Sequence, residues 1–341
     1  EFYAKLMMDS GIAIVLAVSL NMVNGFCGQF SIGHAGFMAI GGYLASAMTF
    51  YLSITMWGSA EVHGAFFGNG DMLFVVSCVA GGLFAAAAGF VVGLPSLRLR
   101  GDYLAIVTLG FGEIVRVLLQ NTEKVVRKPE AIAEQMDDGG FLSLLDNLGG
   151  SLGFHGVPKY STVFWVYVFA AIVLITAYRL KASHQGRALL AVRENEIAAE
   201  AIGVNTTRAK VSAFVLSAFF AGIGGALFSH QLGTTINPGE LGFAKSIDIV
   251  IIVVLGGMGS FSGAVVAAVM LTILPEVLRE FAEYRMIVYA LLLIGVMILR
   301  PKGLFGIQEI WELKIFRRWH RRGRGVPRAQ ARDGGADEGR P

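Results

Sequence analysis

Apolar residues in this chain come in unbroken blocks near the length of a bilayer crossing, as at 12–23, 74–92 and 211–228, and not in the alternating pattern of a strand. A barrel built of alternating segments of about ten residues is therefore excluded. Reading the blocks against the charges that interrupt them predicts about nine membrane-spanning helices. They lie near 10–27, 35–54, 73–97, 102–120, 162–180, 211–232, 245–257, 262–278 and 285–299. The seventh has a clean apolar core only over 249–255, so it reads as a broken helix lining a cavity.

Composition agrees: 55% hydrophobic residues, 16% charged residues and a mean hydropathy of +0.62 place the chain among all-α polytopic membrane proteins. Cys27 and Cys78 sit in apolar blocks and offer neither a disulfide framework nor a metal site. A small residue recurs every fourth position at Gly81, Ala85, Gly89 and Gly93, a ridge that lets a second helix approach closely, and Gly222 with Ala226 and Gly259 with Gly263 repeat it.

Charge sets the orientation. Arg98 and Arg100, the cluster Arg179, Lys181, Arg187, Arg193, Arg208 and Lys210, and the basic run after Arg300 all fall on one side of nine alternating spans, which the positive-inside rule makes cytoplasmic. The first residue then lies outside. With no Met at position 1 and no signal-peptide pattern, one more span is expected upstream. Lys124, Arg127 and Lys128 fall on the outer side among five nearby acids, Glu123, Glu130, Glu134, Asp137 and Asp138. Residues 1–310 thus read as a transmembrane domain, with an extracytoplasmic loop at 121–160 carrying a helical signal near 130–136. Residues 311–341 read as a basic, disordered cytoplasmic tail held near anionic headgroups.

One hydrophilic loop has helix grammar of its own. In 186–205, Asn195 is a cap, Glu196 occupies the first turn and Gly203 is a stop. Two turns are too few to persist alone in water, so the helix must pack on something. Ile197, Ala198, Ala201 and Ile202 share an apolar arc, with Glu196 and Glu200 turned away, which suits a groove on a partner protein better than an anionic leaflet.

Polar residues within the spans are candidates for a transport path or gate. Gln29, Ser31 and His34, in the glycine-rich 28–37 connection, either serve packing or border the path. Glu113 and Arg116 share a helix face as a neutral pair, and Lys245 and Asp248 are spaced likewise. Asp102–Gly110 and Asp248–Gly256 match at five positions and run in opposite directions, as an inverted repeat requires. No catalytic or metal-binding pattern is present. The nearest approach to a phosphate loop, 239–246, has Ala244 where the glycine belongs. A pump of this kind must borrow its energy.

The blocks GQFSIGHAGFMAIGGY (28–43), GLPSLRLRGDYLAIVTLGFGEIVR (93–116), GRALLAVRENEIAAEAIGVN (186–205), AFVLSAFFAGIGGALFSH (213–230), VVLGGMGSFSG (253–263) and RPKGLFG (300–306) resemble the LivM-like permeases of ABC importers for branched-chain amino acids. The resemblance implies an ABC importer permease fold in the bacterial inner membrane, translocating Leu, Ile or Val by alternating access. It implies a second, LivH-like permease, two cytoplasmic ATPase subunits that hold ATP and Mg, and a periplasmic amino-acid-binding protein. This chain would bind no cofactor, metal or nucleic acid and would touch membrane lipids. The family's coupling-helix pattern, an acid followed by two alanines and a glycine, maps onto Glu196, Ala198, Ala199 and Gly203, with Ile197 inserted. Arg193, Glu194, Ala201 and Ile202 join these as the expected contact to the ATPase. Residues 124–148 look like an insertion relative to the family. Two other readings stand beside this one: a permease for another small solute such as an amide, urea or a different amino acid, and an ion-coupled secondary transporter.

Overall fold

The computed structural model describes residues 2–64, 67–96, 102–126, 132, 140–278, 285–300, 303, 304 and 306. Its helices are α1 (Phe2–Asn21, continued by a π-helical turn at Met22–Phe26), α2 (His34–Trp57), α3 (Asn69–Ser96), α4 (Asp102–Gln120), α5 (Val163–Ala182), α6 (His184–Glu194), α7 (Glu196–Ala201), α8 (Thr206–Leu232), α9 (Phe243–Gly256), α10 (Phe261–Val277) and α11 (Arg285–Leu299). All but α6 and α7 coincide with the nine predicted spans. Six of them, α1 to α5 and α8, are long and apolar enough to cross a membrane by themselves.

The last three apolar helices have 14, 17 and 15 residues. At about 1.5 Å per residue, α9 rises only about 21 Å, less than a hydrocarbon core of about 30 Å. A 3-10 turn at Pro238–Leu241 precedes it, so its start is held within protein. The first helix begins at Phe2, not near residue 10. Asp9 lies inside it, and the Gln231 amide donates to its carboxylate at 2.6 Å.

Glycine explains which helices meet. The most extensive contacts join α2, α3 and α8. Where they cross, Gly41, Gly81 and Gly222 place backbone on backbone: a Cβ on Gly81 would lie 2.6 Å from the Gly41 carbonyl oxygen, and one on Gly222 would lie 2.6 Å from the Ala85 methyl. Gly41 and Gly225 leave still less room, against the Gly222 and Met38 carbonyls. Further along the ridge, a Cβ on Gly89 would meet that of Ala218 at 2.7 Å. Around this centre α1 packs on α5, α8 and α10, and α1 and α2 are the most enclosed spans.

The described connections sort onto two ends. One carries 27–33, 183–205 and 257–260 with the basic cluster of α5, α6 and α8. The opposite end carries 140–160, where Phe154–His155 (β1) pairs antiparallel with Thr235–Ile236 (β2). Tyr51 donates to the Asn147 carbonyl at 2.7 Å and Tyr43 to the Ile236 carbonyl at 2.8 Å, so this segment is bolted to α2. Leu144, Leu148, Phe154, Val157 and Tyr160 are buried beneath it. Arg98, Arg100, Arg127, Lys128, Lys302, the helical signal near 130–136 apart from Ile132, and the tail 311–341 lie outside the described residues.

The triple glycine contact should tolerate no side chain. Gly222→Val is expected to abolish the monodisperse peak of the detergent-solubilised protein in size-exclusion chromatography, because overpacking by even a few atoms costs about 1–3 kcal/mol. Gly110→Ala, where nothing lies within 4 Å of an added Cβ, is expected to leave that peak unchanged.

Candidate coupling loop and membrane cavity

Between α5 and α8 the chain makes three helix starts in succession, each fixed by a side-chain cap. Ser183 Oγ accepts from Gly186 N–H at 3.1 Å, Asn195 Oδ1 from Ala198 N–H at 3.0 Å and Asn205 Oδ1 from Arg208 N–H at 2.9 Å. Gly203, at φ +86°, takes the left-handed turn that ends α7. The six-residue α7 thus sits in a corner whose sequence dictates where each helix begins.

Two cations anchor the corner. Lys210 of α8 is only 4% exposed, and its Nζ lies 2.5 Å from Glu196 Oε1 at the start of α7. Arg193, near the end of α6, reaches inward: its Nη1 donates to the Gly25 carbonyl at 2.7 Å in the π turn of α1. The side chain threads between Gly28 and Gly259, whose added Cβ atoms would meet it at 2.8 and 2.6 Å. Both glycines have positive φ, so no other residue fits there without strain.

From Gly25 the connection continues. Asn21 accepts from Gly259 N–H at 2.9 Å and donates to the Ser260 carbonyl at 3.0 Å, gripping the α9–α10 turn from both sides. Lys181 of α5 donates to the Gly259 carbonyl at 3.2 Å and lies over the Phe261 ring at 4.8 Å. Leu304 N–H reaches the Leu255 carbonyl at 2.8 Å, so the residues after α11 close on the same turn. The α6–α7 corner is thus tied directly to α1 and α8 and, through Asn21, to the α9–α10 turn.

The expected contact residues divide in two. Ile197 and Ile202 are 68% and 77% exposed, and Glu194, Ala198, Ala201 and Gly203 are exposed beside them. Ala199, at 3% exposed, faces inward, as Arg193 does, and Glu196 is spent on Lys210. Those three hold the loop in place, Ala199 buried and Arg193 and Glu196 half-buried.

The expected path residues fare differently. A cavity of about 410 Å³ opens among α1, α8, α9 and α10, and Asp248 alone of the six lines it. His34 is buried with Nε2 2.8 Å from Ser19 Oγ, and the Ser31 backbone is held by Asn24. Gln29 is buried as well. Glu113 and Arg116 do pair, at 2.7 Å, and the other carboxylate oxygen accepts from Phe243 N–H at 3.0 Å. The pair is a cap for the start of α9, where an anion meets the positive end of the helix dipole. Lys245 and Asp248 make no such pair: Lys245 Nζ lies over the Phe228 ring at 5.1 Å.

Asp9 and Lys245 line the cavity with Asp248; the sequence pairs Lys245 with Asp248 but does not point to Asp9. Asp9 was hidden because the first span was started after it.

The protein family described as the permease component of the branched-chain amino acid transport system matches residues 2–299. The chain belongs to that family. It is 37% identical over 309 residues to the high-affinity branched-chain amino acid transport permease LivM of Salmonella typhimurium, a match covering 86% of this chain and 67% of that one. The LivM of Escherichia coli K12 matches to the same extent. The LivH permease of Escherichia coli K12 is 25% identical over 300 residues, covering 87% of this chain and 92% of that one. No solved structure matches the chain. This is a multi-pass membrane permease, and the α5–α8 corner is one of its most tightly specified connections.

Glu196→Ala leaves the Lys210 ammonium buried without its counter-charge. The variant is expected to unfold with about 1–3 kcal/mol less stability, between the values for exposed and buried pairs. Adding Lys210→Met should restore part of the loss, and a double-mutant cycle on thermal unfolding in detergent measures the coupling.

Proposed function

We propose that this chain is one of two permease subunits of an ATP-driven importer for branched-chain amino acids in the bacterial inner membrane. The observation that carries the reading is the 37% identity to LivM over most of the chain. The similarity to LivH supports a partner permease of the same fold, since one chain aligns with both across almost its whole length. The basic end faces the cytoplasm by the positive-inside rule, which puts the tail there too and the 140–160 cap outside.

Energy enters at α7. An exposed pair of isoleucines on a short helix, backed by a buried ion pair, is suited to sit in a groove of a cytoplasmic ATPase subunit. Two ATPases hold ATP and Mg, and this chain contributes no hydrolytic group and binds no cofactor. A binding protein on the outer side delivers the amino acid. ATP-driven closure of the ATPases pushes α6–α7, and Arg193 passes the movement to α1 and the α9–α10 turn, changing access to the cavity. The permease supplies two conformations, and the ATPases bias their populations.

Ile197→Arg with Ile202→Arg, or Ala198→Trp alone, is expected to reduce ATP-driven leucine uptake into proteoliposomes at least about tenfold, the loss expected when apolar anchors at the centre of an interface are removed. The amount of permease pair recovered from the membrane should stay the same. Wild-type uptake by these variants would remove α7 from the coupling path. Uptake that follows an imposed ion gradient without ATP would replace the importer reading with an ion-coupled one.

A further inference from the structure

We propose that the cavity among α1, α8, α9 and α10 is a transit site for the zwitterion of an aliphatic amino acid, with Lys245 receiving the carboxylate and Asp248 the ammonium. The proposal rests on the branched-chain amino acid reading above and adds the residues that would hold the substrate within the membrane.

Three observations carry it. Asp248 is exposed on an apolar helix, and among the described residues it has no ion-pair partner. A carboxylate at that depth faces water or a ligand, because facing lipid is too costly. Lys245 stands in the first turn of α9, where the helix dipole disfavours a cation, so helix stability does not account for it. It stands near enough to Asp248 for its charge to be felt there but forms no close ion pair with it, and rests over Phe228. The two side chains, three residues apart, lie on one face and present opposite charges side by side, the arrangement an α-amino acid presents in reverse.

The rest of the cavity fits the remainder of the ligand. Ile12, Leu16, Ile249 and Leu271 supply aliphatic wall. At about 410 Å³ the space falls in the range of small-molecule sites, about 300–1,000 Å³. Asp9 also borders it with one oxygen held by the Gln231 amide at 2.6 Å, whereas no hydrogen bond among the described residues holds Asp248, which makes Asp248 the freer carboxylate for the ammonium. Each ligand charge then meets one opposite charge, and neither crosses the membrane unpaired. The cavity is also bound to the coupling path: α9 carries both charges and ends in the turn that Asn21 grips.

The test uses the assembled transporter in nanodiscs, without binding protein, carrying Thr272→Cys on the cavity wall. The native Cys27 and Cys78 are buried, which keeps background labelling low. Labelling by a methanethiosulfonate reagent is followed with and without leucine, in nucleotide-free and nucleotide-trapped states. Leucine at twice its dissociation constant is expected to slow labelling about threefold by mass action in at least one state. 4-Methylpentanoate, which lacks the ammonium, and isopentylamine, which lacks the carboxylate, should not. Asp248→Asn and Lys245→Met should each weaken the protection by leucine about tenfold or more, the cost of a lost charge-assisted hydrogen bond. The site is refuted if the same transporter, with binding protein in proteoliposomes, imports leucine while labelling in nanodiscs is indifferent to it in every state, if position 272 is never labelled, or if either analogue protects as leucine does. If leucine is neither imported nor protective while a different amino acid is both, the substrate reading fails and the site stands.

Discussion

The structure depends on the place where α2, α3 and α8 touch through Gly41, Gly81 and Gly222. In lipid there is no hydrophobic force to bring helices together, because the tails are as apolar as the side chains. Attraction must come from close packing, and packing is closest where no Cβ intervenes. A Cβ on Gly81 or Gly222 would stand 2.6 Å from its neighbour across the contact, and one on Gly41 or Gly225 closer still, so the helices are already as near as backbones allow. Everything peripheral is arranged on this centre: α1 leans on α8, and α10 and α5 lean on α1.

A rigid centre leaves movement to the ends. At the basic end the connections are held by polar contacts that are few and specific: Arg193 to Gly25, Asn21 to Gly259 and Ser260, and Lys210 to Glu196. Such contacts transmit force well and can be exchanged for alternative ones at small net cost, since a hydrogen bond is worth only about 1 kcal/mol against its replacement. The π-helical turn at Met22–Phe26 lies within this region, and π turns commonly mark functional sites within helices. A clamp of this kind suits two discrete states better than continuous deformation.

Much of this was legible in the chain. The nine apolar blocks became nine helices, and the glycine ridge of α3 became the surface facing α8, because span length and small-residue spacing are local properties. The caps Asn195 and Asn205 were equally local. What the sequence hid was pairing across distance. Glu113 reads as half of an i, i+3 pair, yet its second oxygen caps a helix that begins 130 residues later. Arg193 reads from the sequence as part of the contact to the ATPase, and only the fold brings it to Gly25, 168 residues away. Gln29 and His34 stand out because they are polar groups in apolar blocks; His34 finds Ser19 Oγ inside the bundle, whereas the Gln29 side-chain oxygen is buried with no partner among the described residues.

The shortness of α9 ties these strands of argument together. A helix too short to cross the bilayer needs its first amides satisfied within the protein, and Glu113 supplies an anion at Phe243; Ser246 Oγ in turn accepts from Ala35 N–H and satisfies the first turn of α2. The break that precedes α9 frees its first turns to border a cavity instead of lipid, so Lys245 and Asp248 find a place there at all. Its other end is held in the turn that Asn21, Lys181 and Leu304 secure. One short helix thus has its start at the cavity and its finish beside the α5–α8 corner. Between that finish and the charged cavity wall lie only about two to three turns of helix, with no intermediate element.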